Sequence, residues 1–122
     1  MSKTCRPVIV VHDGEGAWNP ARSQPALKSA KEAAEAGFNV LKSGGTAVNA
    51  VVDAVALMEG TGDFNAGCGS ALNIDKCVEM EASVMNGETL QAGAAGLLSD
   101  IKNPVRLAIV IMEKVIMFLL WA

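Results

Sequence analysis

Histidine, cysteine and aromatic residues are scarce in this chain, and each scarcity removes a class of function. His12 is the only histidine and the cysteines are Cys5, Cys68 and Cys77. No ligand set for zinc converges in sequence. An odd number of widely spaced cysteines without a C-x-x-C pair suits reduced thiols, so a cytoplasmic protein is expected. Two Trp and three Phe make the chain 4% aromatic. There is no basic run and no stacking set, and net charge is -3; nucleic acid is not expected as a partner. Met1 to Arg6 lacks the apolar core of a secretory signal. The apolar run Val115 to Ala122 is far shorter than the about 20 residues a membrane helix needs, so no membrane partner is expected.

What the chain does have is apolar substance in small pieces. Hydrophobic residues make up 51% of its 122 residues, with 12 glycines. That composition points to an α/β protein of close-packed layers. The length allows one domain at most, taken as residues 1–122. There is no internal repeat and no low-complexity linker.

Hydrophobic pattern divides the chain. Pro7 to Val11 is a continuous β-branched run and predicts a fully buried strand. It leads into His12-Asp13-Gly14-Glu15-Gly16, read either as a loop beside an active site or as an ordinary turn. His12 alone is more often a hydrogen-bonded structural residue than a base. Trp18 to Gln24 reads as loop. Ser23 is placed as a helix cap, with Pro25 in the first turn. Leu27, Ala30, Ala34, Phe38 and Leu41 form the expected buried stripe. Lys28, Lys31, Glu32 and Glu35 form the solvated face. Gly44-Gly45 ends this helix. Thr46 caps a second one, with Val48, Val51, Val52, Val55 and Met58 facing inward and Asp53 facing out.

Gly60-Thr61-Gly62-Asp63 breaks the second helix and opens the most informative stretch, Asp63 to Ser70. Small residues at 66, 67 and 69 let main-chain carbonyls point inward together, as a hard cation requires. Asn65 either donates its amide into a site or bonds its own backbone in a tight turn. Two strands follow, Ala71 to Asn73 and Val78 to Met85, around a turn at Ile74-Asp75-Lys76. Glu79, Glu81 and Ser83 mark a polar face; acid–base work or plain solvent exposure would explain them. Asn86-Gly87 signals a hairpin turn, with Gln91 to Leu98 as the returning strand. Asn103-Pro104 starts a third helix with Val105, Ala108, Ile109, Met112 and Val115 buried. Ile116 to Trp121 is the next strand, expected to lie unpaired.

The blocks Pro7-Val8-Ile9-Val10-Val11-His12, Gly44-Gly45-Thr46-Ala47-Val48, Phe64-Asn65-Ala66-Gly67-Cys68-Gly69-Ser70, Val78 to Gly87, Ile101 to Ala108 and Met112-Glu113-Lys114 together resemble the plant-type L-asparaginase/isoaspartyl peptidase family. They occur in the family's order and span about Pro7 to Lys114. The resemblance implies an N-terminal-nucleophile hydrolase, hence part of an α/β/β/α sandwich. In that family a precursor cleaves itself into α and β subunits, and the new N-terminal threonine is both nucleophile and base. The substrates are L-asparagine and β-aspartyl peptides.

No segment here matches the family's Gly-Thr cleavage site, its substrate-holding Arg and Asp, or its oxyanion hole. The chain therefore reads as truncated within the α subunit and inactive alone, and no catalytic residue is assigned. Its expected partner is a separate β subunit or a full-length homologue. His12, Gly14 and Asn65 map to the loops around the self-cleavage site. The resemblance also implies a structural sodium ion on the main-chain carbonyls of Met58, Glu59, Thr61, Phe64, Ala66 and Cys68. Asp13 replaces a glycine of the family and is expected to carry about 1–3 kcal/mol of backbone strain. Lys76 replaces the family's turn glycine.

Overall fold

The computed structural model describes residues 6–14, 19–114 and 119–121. Helix α1 is Pro20–Lys42 and helix α2 is Ala47–Thr61. A 3-10 turn, Gly67–Gly69, follows. Strands β1, Met80–Met85, and β2, Ala92–Leu98, precede helix α3, Pro104–Lys114, and strand β3, Leu119–Trp121. The mixture is α/β, as composition and pattern predict.

Helix α1 starts earlier than the sequence suggests. Asn19 is its cap, and the side chain accepts from Arg22 N–H at 3.1 Å. Pro20 takes the first position, where its missing N–H costs nothing. Ser23 and Pro25 therefore lie inside the helix rather than at its start. The expected stripe is also displaced by one position. The buried residues are Ala26, Ser29, Ala33 and Gly37, while Leu27 and Phe38 are exposed. Helix–helix approach selects the smallest side chains, not the most apolar ones. At Gly37 a Cβ would overlap Ile9 and lie 2.6 Å from the Ala50 carbonyl oxygen of α2.

Thr46 caps α2 as expected, accepting from Asn49 N–H at 3.1 Å. Gly62 ends it in the left-handed conformation, φ 78. Val52 and Met58 face inward, but Val51 and Val55 are exposed; Ala50, Ala54 and Glu59 complete the buried set.

Strand β1 pairs antiparallel with β2, and β2 pairs parallel with β3, in the order β1-β2-β3. The expectation of an unpaired last strand is thus corrected: α3 is the crossover that returns the chain to β2's other side. A bulge interrupts the β1–β2 register, which passes from Met80↔Leu98 to Ala82↔Ala95. The extra residue on β2 falls at Gly96-Leu97, and Leu97 takes φ 54. The hairpin loop is longer than a two-residue turn. Asn86 Oδ1 accepts from Glu88 and Thr89 N–H, and Leu90 sits at φ 60. The first expected strand, Ala71 to Asn73, is reduced to one bridge, Leu72↔Val78. Its turn is present: Asn73 Oδ1 accepts from Asp75 and Cys77 N–H, both at 2.9 Å, and Lys76 is left-handed at φ 61.

Three apolar clusters hold these layers. Ala26, Ala33, Ala54, Met58 and Phe64 join α1 to α2 and to the following loop. Val52, Val84, Val105 and Ala108 join α2, β1 and α3. Met80, Ala95, Leu98 and Ile111 seat α3 on the sheet. The seat is close: a Cβ at Gly93 of β2 would overlap the Ala108 carbonyl and the Met112 amide. On the opposite face of β1, Glu81, Ser83 and Met85 are exposed, the polar alternation read from sequence.

Pro7 to Val11 is not a strand. Ile9 and Val11 pack against the first cluster, but Val8 is 77% and Val10 84% exposed. The fully buried reading is corrected: only alternate residues of the run find a core. Glu15 to Trp18 of the first loop, and residues 115–118, lie outside the described residues.

Candidate functional site

The Asp63–Ser70 loop wraps the C-terminal end of α2. Ser29, buried in α1, donates its hydroxyl to Asp63 Oδ2 at 2.5 Å. Thr61 turns its hydroxyl onto the Met58 carbonyl at 3.0 Å and accepts weakly from Asp63 N–H at 3.4 Å. Phe64 drops into the α1–α2 core, 5% exposed, and anchors the loop. Gly67 and Gly69 then close it: N–H of Gly69 donates to Ala66 O and N–H of Ser70 to Gly67 O.

Two glycines are obligatory here by contact. Gly67 has φ 55 and is buried; a Cβ would overlap the Glu59 carbonyl oxygen. At Gly69 a Cβ would overlap the Phe64 carbonyl oxygen and lie 2.8 Å from that of Gly62. The Glu59, Gly62 and Phe64 carbonyls therefore meet the loop at close quarters. Main-chain oxygens are the donor type that a hard cation takes. Of the carbonyls expected to hold a cation, that of Glu59 packs against Gly67 and that of Phe64 against Gly69. Met58 O and Ala66 O also accept the hydrogen bonds given above. Among the described residues no three His, Cys, Asp or Glu side chains converge on a common point. A cation here would rest on carbonyls.

Asn65 is exposed, and its Oδ1 accepts from Ala71 N–H at 2.8 Å. Its amide borders a cavity of about 330 Å³ with Glu59, Ser70, Glu79, Glu81 and Pro104 along the wall. His12 and Gly14 are not among the residues lining that cavity. Instead His12 Nδ1 accepts from Gly14 N–H at 2.9 Å, closing a small turn in which Gly14 takes φ 82. Asp13 is not left-handed. The strain expected at Asp13 falls on Gly14, which bears it without cost.

Glu59 is the side chain that sequence reading passed over. It is 3% exposed. Its Oε1 accepts from Val105 N–H at 3.0 Å and its Oε2 from Asn103 Nδ2 at 3.1 Å. Asn103 Nδ2 also reaches Ala56 O at 3.1 Å. The cap on α3 is thus a carboxylate from α2, 46 residues away, and Asn103 braces it. A Glu in the last turn of one helix and an Asn-Pro start of a later one carry no local sign of this pairing. The neighbouring Arg106–Asp53 pair, 2.9 Å, is half-exposed.

A model of the family described as Asparaginase matches residues 5–121. The isoaspartyl peptidase/L-asparaginase of Danio rerio is 52% identical over 108 residues, and that of Homo sapiens 44% over 109. The plant-type L-asparaginase of Pyrococcus abyssi is 43% identical over 107. The matches cover 87–88% of this chain and 35% of each relative, so the chain spans about a third of their length.

Proposed function

The chain belongs to the asparaginase family, and on that premise we propose that it forms the α-subunit scaffold of an isoaspartyl peptidase/L-asparaginase-like hydrolase and does not hydrolyse substrate alone. The observation that carries this reading is the family match over residues 5–121, which spans 35% of the relatives' length. The family's nucleophile is a threonine released by self-cleavage, and no stretch of these residues matches that cleavage site. These residues by themselves offer no counterpart of that threonine for covalent catalysis.

In this reading the layer of α1, α2 and α3 is one outer layer of an α/β/β/α sandwich. The exposed face of β1, with Glu81, Ser83 and Met85, would receive the second sheet. The carbonyls of Met58, Glu59, Thr61, Phe64, Ala66 and Cys68 would hold a structural sodium ion. That ion would supply a fixed positive charge that ties the end of α2 to the loop. Asn65 keeps the loop's shape through Ala71, and His12 with Gly14 shapes the neighbouring turn.

The test is hydrolysis of L-asparagine and a β-aspartyl dipeptide by the purified chain, with the intact mass measured before and after incubation. One uncleaved mass and no turnover are expected. Turnover, or a product beginning at Thr4, Thr46, Thr61 or Thr89, would overturn the reading.

A second reading is favoured by the exposed valines Val8 and Val10: the chain completes an active amidohydrolase when joined by a β subunit. Amidase activity that appears only on mixing with a β chain would establish it. Co-purification with a full-length homologue, without activity, would instead mark a regulatory module.

A further inference from the structure

The loop between β1 and β2 holds a reactive pair. Asn86 alone among the asparagines of this chain is followed by glycine. An asparagine carries an electrophile, the side-chain carbon Cγ, within ring-closing reach of the next peptide nitrogen. Here Asn86 Oδ1 accepts from Glu88 N–H at 2.9 Å and from Thr89 N–H at 3.2 Å. Two donors on that oxygen draw electron density from Cγ and stabilise the oxyanion that attack on it creates. Gly87 N–H, in contrast, meets no acceptor among the described residues. Its nitrogen breaks no hydrogen bond when it gives up the proton. Gly87 is exposed, and a Cβ there would have nothing within 4 Å, so water reaches the pair.

The other asparagines each lack a part of this arrangement. Asn19 and Asn103 precede proline, whose nitrogen carries no proton. Asn39 and Asn49 lie within α1 and α2, where the next N–H belongs to the helix; that of Ala50 is bonded to Thr46 O at 3.0 Å. Asn65 and Asn73 are followed by Ala66 and Ile74, whose Cβ atoms restrict the backbone that must turn. Asp13-Gly14 is the parallel case, but Gly14 N–H is bonded to His12 Nδ1 at 2.9 Å.

We propose that Asn86 is a site of spontaneous modification, converting through a succinimide with Gly87 to an isoaspartyl or aspartyl residue in the folded chain. Gly87 N loses its proton and bonds to Asn86 Cγ. The Cγ–Nδ2 bond breaks, and Nδ2 leaves with the proton as ammonia. Water then opens the ring. Attack at Cγ gives aspartate on an unchanged main chain. Attack at the Asn86 main-chain carbonyl carbon breaks its bond to Gly87 N, and the chain then runs through Cβ and Cγ. In sum, amide and water give acid and ammonia, so the reaction needs no cofactor and no second subunit. The isoaspartyl form reshapes the loop. Asn86 O, which accepts from Leu90 N–H at 2.8 Å, becomes part of a free carboxylate. The carbonyl that capped Glu88 and Thr89 becomes the peptide carbonyl. An extra main-chain atom thus enters beside Met85↔Ala92, the last pair of the β1–β2 ladder.

The test is incubation of the full chain, folded, in mildly alkaline buffer over weeks, with peptide mapping and electron-transfer fragmentation to tell isoaspartate from aspartate. The peptide holding Asn86 is expected to gain the mass difference between amide and acid before any other asparagine peptide, with both products present. In Gly87→Ala, whose methyl group meets nothing within 4 Å, the conversion slows about tenfold because a Cβ restricts the turn that ring closure needs. Conversion in guanidinium-unfolded chain but not in folded chain would overturn the proposal, because the loop's hydrogen bonds would then protect Asn86. Earlier conversion at another asparagine, aspartate without isoaspartate, or an unchanged rate in Gly87→Ala would overturn it as well. The comparison of folded with unfolded chain needs no variant to fold.

Discussion

Ser29 is a small residue with a large structural assignment. Its hydroxyl is the bond that ties α1 to the start of the carbonyl loop. Ser29→Ala leaves Asp63 without that donor, and a loss of about 1–3 kcal/mol is expected in urea unfolding. Asp53→Asn, which weakens the half-exposed pair with Arg106, should change stability by less than about 1 kcal/mol. The comparison separates a buried bond from a surface one. Lys76 gives the opposite sign. It is left-handed at φ 61, a conformation glycine takes at less cost, so Lys76→Gly should raise stability by about 1 kcal/mol, read as a higher urea midpoint at unchanged slope. That position was legible: the residues signalled the turn, and the resemblance marked Lys76 as standing at a glycine position. Ser29 was not, because a serine on a helix reads as neutral until a carboxylate 34 residues away meets it.

Elements were legible where their signals are local. Thr46, Gly62 and Pro104 mark helix ends through backbone chemistry that needs no distant partner. Which face of a helix is buried was read less well. Leu27 and Phe38 are large apolar residues of the expected α1 stripe and lie exposed, while Ala26, Ala33 and Gly37 are covered. Contact distance decides such faces. The same logic makes a prediction for α3 and the sheet. Gly93→Ala pushes a methyl group into the Ala108–Met112 backbone and should cost about 1–3 kcal/mol or more. Gly87→Ala, where nothing lies within 4 Å, should stay within about 0.5 kcal/mol. Thermal unfolding of the two variants side by side checks the claim.

For the molecule as a whole, the exposed apolar residues say where more protein would fit. Val8 and Val10 alternate outward on an extended segment that Ile9 and Val11 hold to the core. Val8→Ser with Val10→Ser removes little of this chain's own burial, so its unfolding midpoint should hold. The same pair should lower the activity recovered on mixing with a β chain several-fold, because assembly would bury both side chains. Loss of stability in the chain alone, or unchanged recovery, would count against an interface there. No helix among the described residues is long and apolar enough to cross a membrane, so these valines are not read as part of a spanning helix.

Periodicity, caps and glycine spacing were enough to place three helices, the main hairpin and the carbonyl loop, and ordered blocks were enough to reach the family. Those features depend on residues close together in the chain. Tertiary structure alone decided that Glu59 caps α3, that Ser29 holds Asp63, that the Gly62 carbonyl packs against Gly69 and that β3 pairs with β2. Each of these joins groups remote in sequence, or places atoms by contact distance. A buried carboxylate and an exposed one are the same letter in a sequence; only the fold supplies the N–H groups that make one of them a cap.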